Sequence, residues 1–202
     1  MNQYQLYLVA APLAAAMTMT ALAVSARQPG RNRSRSLEGF LVCATMILVL
    51  SSCELLSATE RGILLFSHLT YLFLALGPVF WFLFAYRCGT GMRVESPVAL
   101  AILFVIPTLT AAFASFDESL HLIWRERCFA DIGALRINVV LRYGPWFWVH
   151  CAYSYLAFFA GTVIILKELF GHYELYRRQA LLVIGTLVPL IGNLLYIARV
   201  FP

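Results

Sequence analysis

Charge is what this sequence has least of. Of its 202 residues 12% are charged and 61% hydrophobic, whereas soluble domains carry roughly 25% charged residues. With a mean hydropathy of +0.80, the chain cannot cover a water-soluble globule, so the bilayer is its solvent. Gly- or Ser-rich linkers, low-complexity tracts and clear internal repeats are also missing, which predicts a single unit over 1–202. The five cysteines are an odd number and fall at no metal-ligating spacing. Cys53 and Cys128 could pair on one side of the membrane or stay free. The Gly89-Thr90-Gly91 element is too short for a dinucleotide loop and follows a membrane segment rather than a strand. No nucleophile–base arrangement can be read from residue order, and no cofactor is expected.

What is present is a series of long apolar runs. A helix crosses roughly 30 Å of hydrocarbon with about 20 apolar residues, and six stretches qualify: 4–26, 37–56, 62–86, 97–115, 146–170 and 179–200. The first is no signal peptide, because its arginines follow the apolar stretch instead of preceding it. The fold class predicted is an all-α bundle of six transmembrane helices.

The net charge of +5 is topological and not a nucleic-acid footprint. Arg27, Arg31, Arg33 and Arg35 follow span one, Arg87 and Arg93 follow span three, and Lys167, Arg177 and Arg178 follow span five. Cytoplasmic loops collect Lys and Arg, so the amino terminus is placed outside, in a multi-pass plasma-membrane protein. Cys88 then faces inward and Cys128 outward. The outer 116–145 connection also holds arginines, but Asp117, Glu118, Glu126 and Asp131 offset them. Within it Leu135, Ile137, Val139 and Leu141 alternate with Arg136, Asn138, Val140 and Arg142 beyond a break near Asp131–Gly133. That pattern predicts a short extracytoplasmic β-hairpin between spans four and five, with an irregular loop as the alternative.

The stretch "YGPWFWVHCAYSY" (143–155) opens span five with a turn, an aromatic anchor and then an ionisable ring. At 1.5 Å per helical residue, His150 lies about 6 Å below Trp146 and His68 about 9 Å inside span three, and Glu54 and Asn193 likewise fall in the outer halves of spans two and six. Tyr71, Tyr153 and Tyr196 follow three of these by three positions, on the same helix face. Polar groups at one depth on four spans are costly in lipid and must point into the bundle. They predict an outward-facing pocket for a small-molecule or lipid-like ligand, formed by Glu54, His68, Tyr71, Trp146, His150, Tyr153, Asn193 and Tyr196. The alternative is a set of interhelical hydrogen bonds, such as His68 to Glu54, that hold the bundle and bind nothing. A metal or enzymatic site of Glu54, His68 and His150 is a weaker reading, since no two sit at ligand spacing on one helix. Pro78, Pro107 and Pro189 fall near mid-span and are candidate hinges.

Gly144, Pro145, Phe147, Trp148, Val149, His150, Ala152, Tyr153, Ser154 and Tyr155, then Tyr176–Gln179, then Pro189, Asn193 and Tyr196 together form a pattern that resembles the amino-terminal seven-helix sensor region of membrane histidine kinases. "FDESLHLIW" and "GPVFWFLFAY" upstream are similar to the same region. The resemblance implies a non-catalytic signal-input domain joined through a last helix to a cytoplasmic output domain, commonly a histidine kinase and sometimes a cyclic-dinucleotide enzyme. It also implies a homodimer. The chain stops at "YIARVFP", where the family pattern continues into a seventh helix. An excised piece and a stand-alone bundle are both consistent with that. His172, in "GHYELYRR", lacks the following proline of a phosphoacceptor site and is not read as one. A structural partner subunit is the third reading.

Overall fold

The computed structural model describes residues 3–27, 34–132 and 135–171. Its elements are α1 (Gln3–Ala26), α2 (Arg35–Leu56), α3 (Glu60–Thr90), α4 (Pro97–Ser115), the single turn α5 (Asp117–Leu120), β1 (Trp124–Ile132), β2 (Leu135–Tyr143) and α6 (Pro145–Gly171). Four helices, α2, α3, α4 and α6, are long and apolar enough to cross a membrane, and α1 carries a shorter apolar stretch, Ala10–Ala26. The predicted sixth span, 179–200, lies outside the described residues, as do Pro189, Asn193 and Tyr196.

Side-chain caps fix where three of the spans begin. Ser34 accepts from the backbone N–H of Leu37, Thr59 from that of Gly62 and Ser96 from that of Ala99, each satisfying a donor the first helical turn leaves free. Pro97 takes the first position of α4, where its missing N–H costs nothing. The α3 helix ends on Gly91, whose φ of 69° is left-handed and whose N–H returns to the Arg87 carbonyl. With 31 residues, α3 is about 46 Å long. It overruns the apolar stretch and carries Glu60 and Arg87 beyond it.

The α3 helix is the central member, packing against α2, α4 and α6, while α1 rests on α2. Its face at Gly77, Trp81, Ala85 and Gly89 repeats every fourth residue, the spacing of one helix ridge. A Cβ on Gly161 of α6 would press on the Trp81 indole and Ala85, and one on Gly89 would meet Ile164. Small residues therefore set how closely α3 and α6 approach, as in membrane helix pairs generally. Trp81, Phe84, Ala85 and Ile165 form the core at this end, with Phe40 and Phe158 against it.

The stretch read as a hairpin forms two antiparallel strands. Their register runs from Trp124 opposite Tyr143 to Ile132 opposite Leu135, irregular only around Arg125 and Glu126. The hairpin sits where α2 and α4 finish and α3 and α6 begin. Arg136 forms an ion pair with Glu60 of α3, Arg142 with Glu126, and Arg127 approaches Glu118 at 3.9 Å. Such exposed pairs contribute little individually, but they neutralise the arginines that would otherwise blur the charge asymmetry of the loops. All five cysteines are free thiols.

Candidate functional site

The junction of hairpin and helices is built on Asp117. Its carboxylate is fully buried and accepts from the backbone N–H groups of Ile123 at 2.7 Å and Trp124 at 3.2 Å. The single turn α5 starts at this residue, and His121, at φ 50°, reverses the chain after it. A non-glycine residue in that conformation costs roughly 1–2 kcal/mol, offset by the clasp and by the His121 N–H donating to the Asp117 carbonyl. At the far end the Gly144 N–H donates to the Ile123 carbonyl at 2.8 Å. A Cβ on Gly144 would run into the backbone carbonyls of His121 and Leu122. The chain can turn from strand into α6 only with glycine there.

This clasp drives Ile123 and Trp124 into the bundle, where with Ala114 they form a second core against Tyr71, Phe113, Val140 and Trp146. Trp124 is the hub. His68 stacks on it with ring centroids 5.5 Å apart, Tyr71 meets it edge-on at 4.6 Å, and the Arg127 guanidinium lies 5.4 Å from its ring. Among the described residues, two buried nitrogens at this hub have no hydrogen-bond partner: His68 Nε2 and Arg127 Nη1.

His150 occupies the next layer and is 5% exposed. Its Nδ1 lies 3.5 Å from the Thr110 hydroxyl and its Nε2 lies 3.4 Å from that of Ser154. Thr110 gives its one proton to the Ile106 carbonyl at 2.8 Å and accepts from the Trp146 indole N–H at 3.0 Å. Toward His150 it can then only accept, which places the imidazole proton on Nδ1 and leaves Nε2 to accept from Ser154. Below this, the Tyr153 hydroxyl donates to the Leu103 carbonyl at 2.6 Å. Trp146, His150 and Tyr153 thus form one face of α6, joined through Thr110 and Leu103 to α4.

Of the residues singled out from sequence, His68, Tyr71, Trp146 and His150 converge at this hub, and Tyr153 lies a turn away. Glu54 is half-buried near the end of α2, and among the described residues no hydrogen bond or ion pair joins it to the others. No three His, Cys, Asp or Glu side chains converge among the described residues, so Glu54, His68 and His150 are not assembled as one ligand set. The site is closed, with Trp124 and His150 both buried, and a cavity lies elsewhere, between α1 and α2. The aromatic anchor also divides: Trp148 is 53% exposed on the outer face of α6, while Trp146 turns inward. Thr110 carries no signal of its own in the sequence, and Asp117 counts there only among the carboxylates that offset the loop arginines; beyond that, Asp117 and Trp124 are marked only by their place in "FDESLHLIW".

Among known proteins, the family model described as the N-terminal 7TM region of histidine kinase matches residues 6–202. No curated protein and no solved structure matches the chain.

Proposed function

Because the chain belongs to the family of N-terminal seven-transmembrane regions of histidine kinases, a membrane sensor region and not a catalytic one, we propose that it admits a small ligand from the outer side to the Trp124 hub. The hairpin and both Cys128 and the amino terminus then lie outside, and Cys88 inside. Ligand arrival shifts α4 against α6 and the repacking is relayed to the output domain of a homodimeric kinase.

The observation that carries this reading is the pair of buried, unpartnered nitrogens, His68 Nε2 and Arg127 Nη1, on one indole. A buried polar group without a partner costs roughly 1–3 kcal/mol. A scaffold has no use for that cost; a binding site does, because an incoming acceptor recovers it. Relay across α4 and α6 is supported by the position of Pro107 amid their polar contacts, and Pro78 supplies a second candidate hinge in α3.

His68→Leu tests the reading. In a full-length kinase carrying this region, we expect the purified variant to unfold at an equal or higher temperature, because the orphan nitrogen is gone, while the signalling response is lost. A marked fall in stability would make His68 a structural member, and an unchanged response would remove the hub from sensing.

A further inference from the structure

The α1 and α2 helices touch along small residues. Ala11 and Ala15 are buried at 3% and 6% exposure, and the hydroxyls of Thr18 and Thr45 hydrogen-bond at 2.7 Å. Beside this contact the helices part and leave a groove of about 820 Å³, lined by Leu13, Met17 and Val24 of α1 and Leu37 and Leu41 of α2, with Ser25 and Ser34 at one end. Leu13 to Ser25 spans about 18 Å along the helix, close to the depth of one leaflet, which is half of about 30 Å. The groove is thus apolar over a leaflet, apart from Thr20, whose hydroxyl donates to the Ala16 carbonyl at 2.8 Å, and polar at the end where that leaflet's headgroups lie.

That polar end is also basic. Arg27 and Arg35 flank it and are exposed, neither forms an ion pair among the described residues, and Arg31 and Arg33 lie between them in sequence. The Ser34 oxygen accepts from Leu37 N–H but keeps its own O–H to donate. On the hairpin, by contrast, exposed arginines find carboxylates, as Arg136 does on Glu60 and Arg142 on Glu126. An acyl-length apolar trough ending in guanidiniums and a hydroxyl donor matches one chemistry. We infer that the α1–α2 groove binds an anionic phospholipid, with one acyl chain along Leu13–Val24 and the phosphate held by Arg27, Arg35 and the Ser34 hydroxyl. Basic pockets between membrane helices take anionic headgroups in this way.

The test is lipid retention. The purified chain, reconstituted in vesicles of equal phosphatidylglycerol and phosphatidylcholine and released in native mass spectrometry, should keep one phosphatidylglycerol per chain. The double variant Arg27→Gln/Arg35→Gln, altered only at exposed positions, should bind it about 30-fold more weakly. Ala21 also lines the groove, and Ala21→Phe, which fills the trough, should lose the lipid while circular dichroism and thermal unfolding report an intact bundle. Equal retention of the two lipids, or a double variant that binds phosphatidylglycerol as well as before, overturns the headgroup site. No lipid retained at all assigns the groove to another helix or to ordinary lipid contact, and also overturns it.

Discussion

The Tyr153 hydroxyl donates to the Leu103 carbonyl at 2.6 Å, and that carbonyl is the one that Pro107 leaves without a helical partner. In a regular helix the N–H of residue 107 would bond to the carbonyl of residue 103; proline has no N–H to give. In hydrocarbon the freed acceptor must be satisfied from a neighbour, and Tyr153 on α6 does it. The irregularity of α4 and the attachment of α6 are one feature.

Tyr153→Phe should therefore destabilise the bundle by about 1 kcal/mol, the usual size of a hydrogen bond between membrane helices. In a Pro107→Ala background the new alanine supplies the missing N–H, and the same substitution should cost close to nothing. The double-mutant cycle measures this coupling directly. Equal losses in both backgrounds would disconnect the tyrosine from the proline.

Asp117 gives a sharper contrast. Asp117→Ala leaves the Ile123 and Trp124 N–H groups buried without acceptors, a loss of roughly 2–6 kcal/mol at about 1–3 kcal/mol each. Asp117→Asn keeps one acceptor oxygen and should cost less than half of that. Limited proteolysis reads the difference, with cleavage in β1 or β2 for the alanine variant under conditions where the parent chain survives. Similar sensitivity for both variants would mean that charge, and not the clasp, is what matters at this position.

Residues that announce themselves by run length or alternation were legible in the sequence. The apolar stretches 37–56, 62–86, 97–115 and 146–170 correspond to α2, α3, α4 and α6 with ends shifted by at most a few residues, because lipid solvation is a property of composition. The hairpin was legible from the period of two in its second strand and the break near Asp131–Gly133 before it. Rise along each helix was legible too: it grouped His68, Tyr71 and Trp146, which lie around Trp124, with His150, which lies one layer on. Azimuth was not. Glu54 was read at the same depth, yet among the described residues no hydrogen bond or ion pair joins it to the hub, since rise along a helix says nothing about which neighbour a side chain faces. Thr110 and Asp117 escaped because one of several hydroxyls in an apolar run and one of several carboxylates in a charged loop have no periodic signature. Their roles exist only once α4, α6 and the hairpin meet.

Topology can be tested with the chain's own thiols. In variants retaining only Cys128 or only Cys88, a membrane-impermeant maleimide applied to intact cells should label the first, which is exposed on β1, and spare the second. Permeabilising the cells should leave Cys128 labelling unchanged. Labelling of Cys88 from outside would invert the arginine-based orientation and put the hub on the cytoplasmic side.

His150 decides between sensing and scaffolding. Its two nitrogens engage Thr110 on α4 and Ser154 on its own helix, both at long distance, and contacts of that length contribute little rigidity. An asparagine can reproduce one of the two but lacks the second ring nitrogen with which the imidazole engages both partners at once. His150→Asn should accordingly leave the bundle folded, with a stability loss of about 1 kcal/mol or less, and abolish the response of a full-length kinase carrying this region. Thr110→Val provides the structural control: it strips the Trp146 indole and His150 of their shared acceptor, so it should destabilise more than His150→Asn does. If His150→Asn signals normally while Thr110→Val unfolds, the imidazole is only a tie between α4 and α6. If His150→Asn folds and is silent, the ring is what reads the signal.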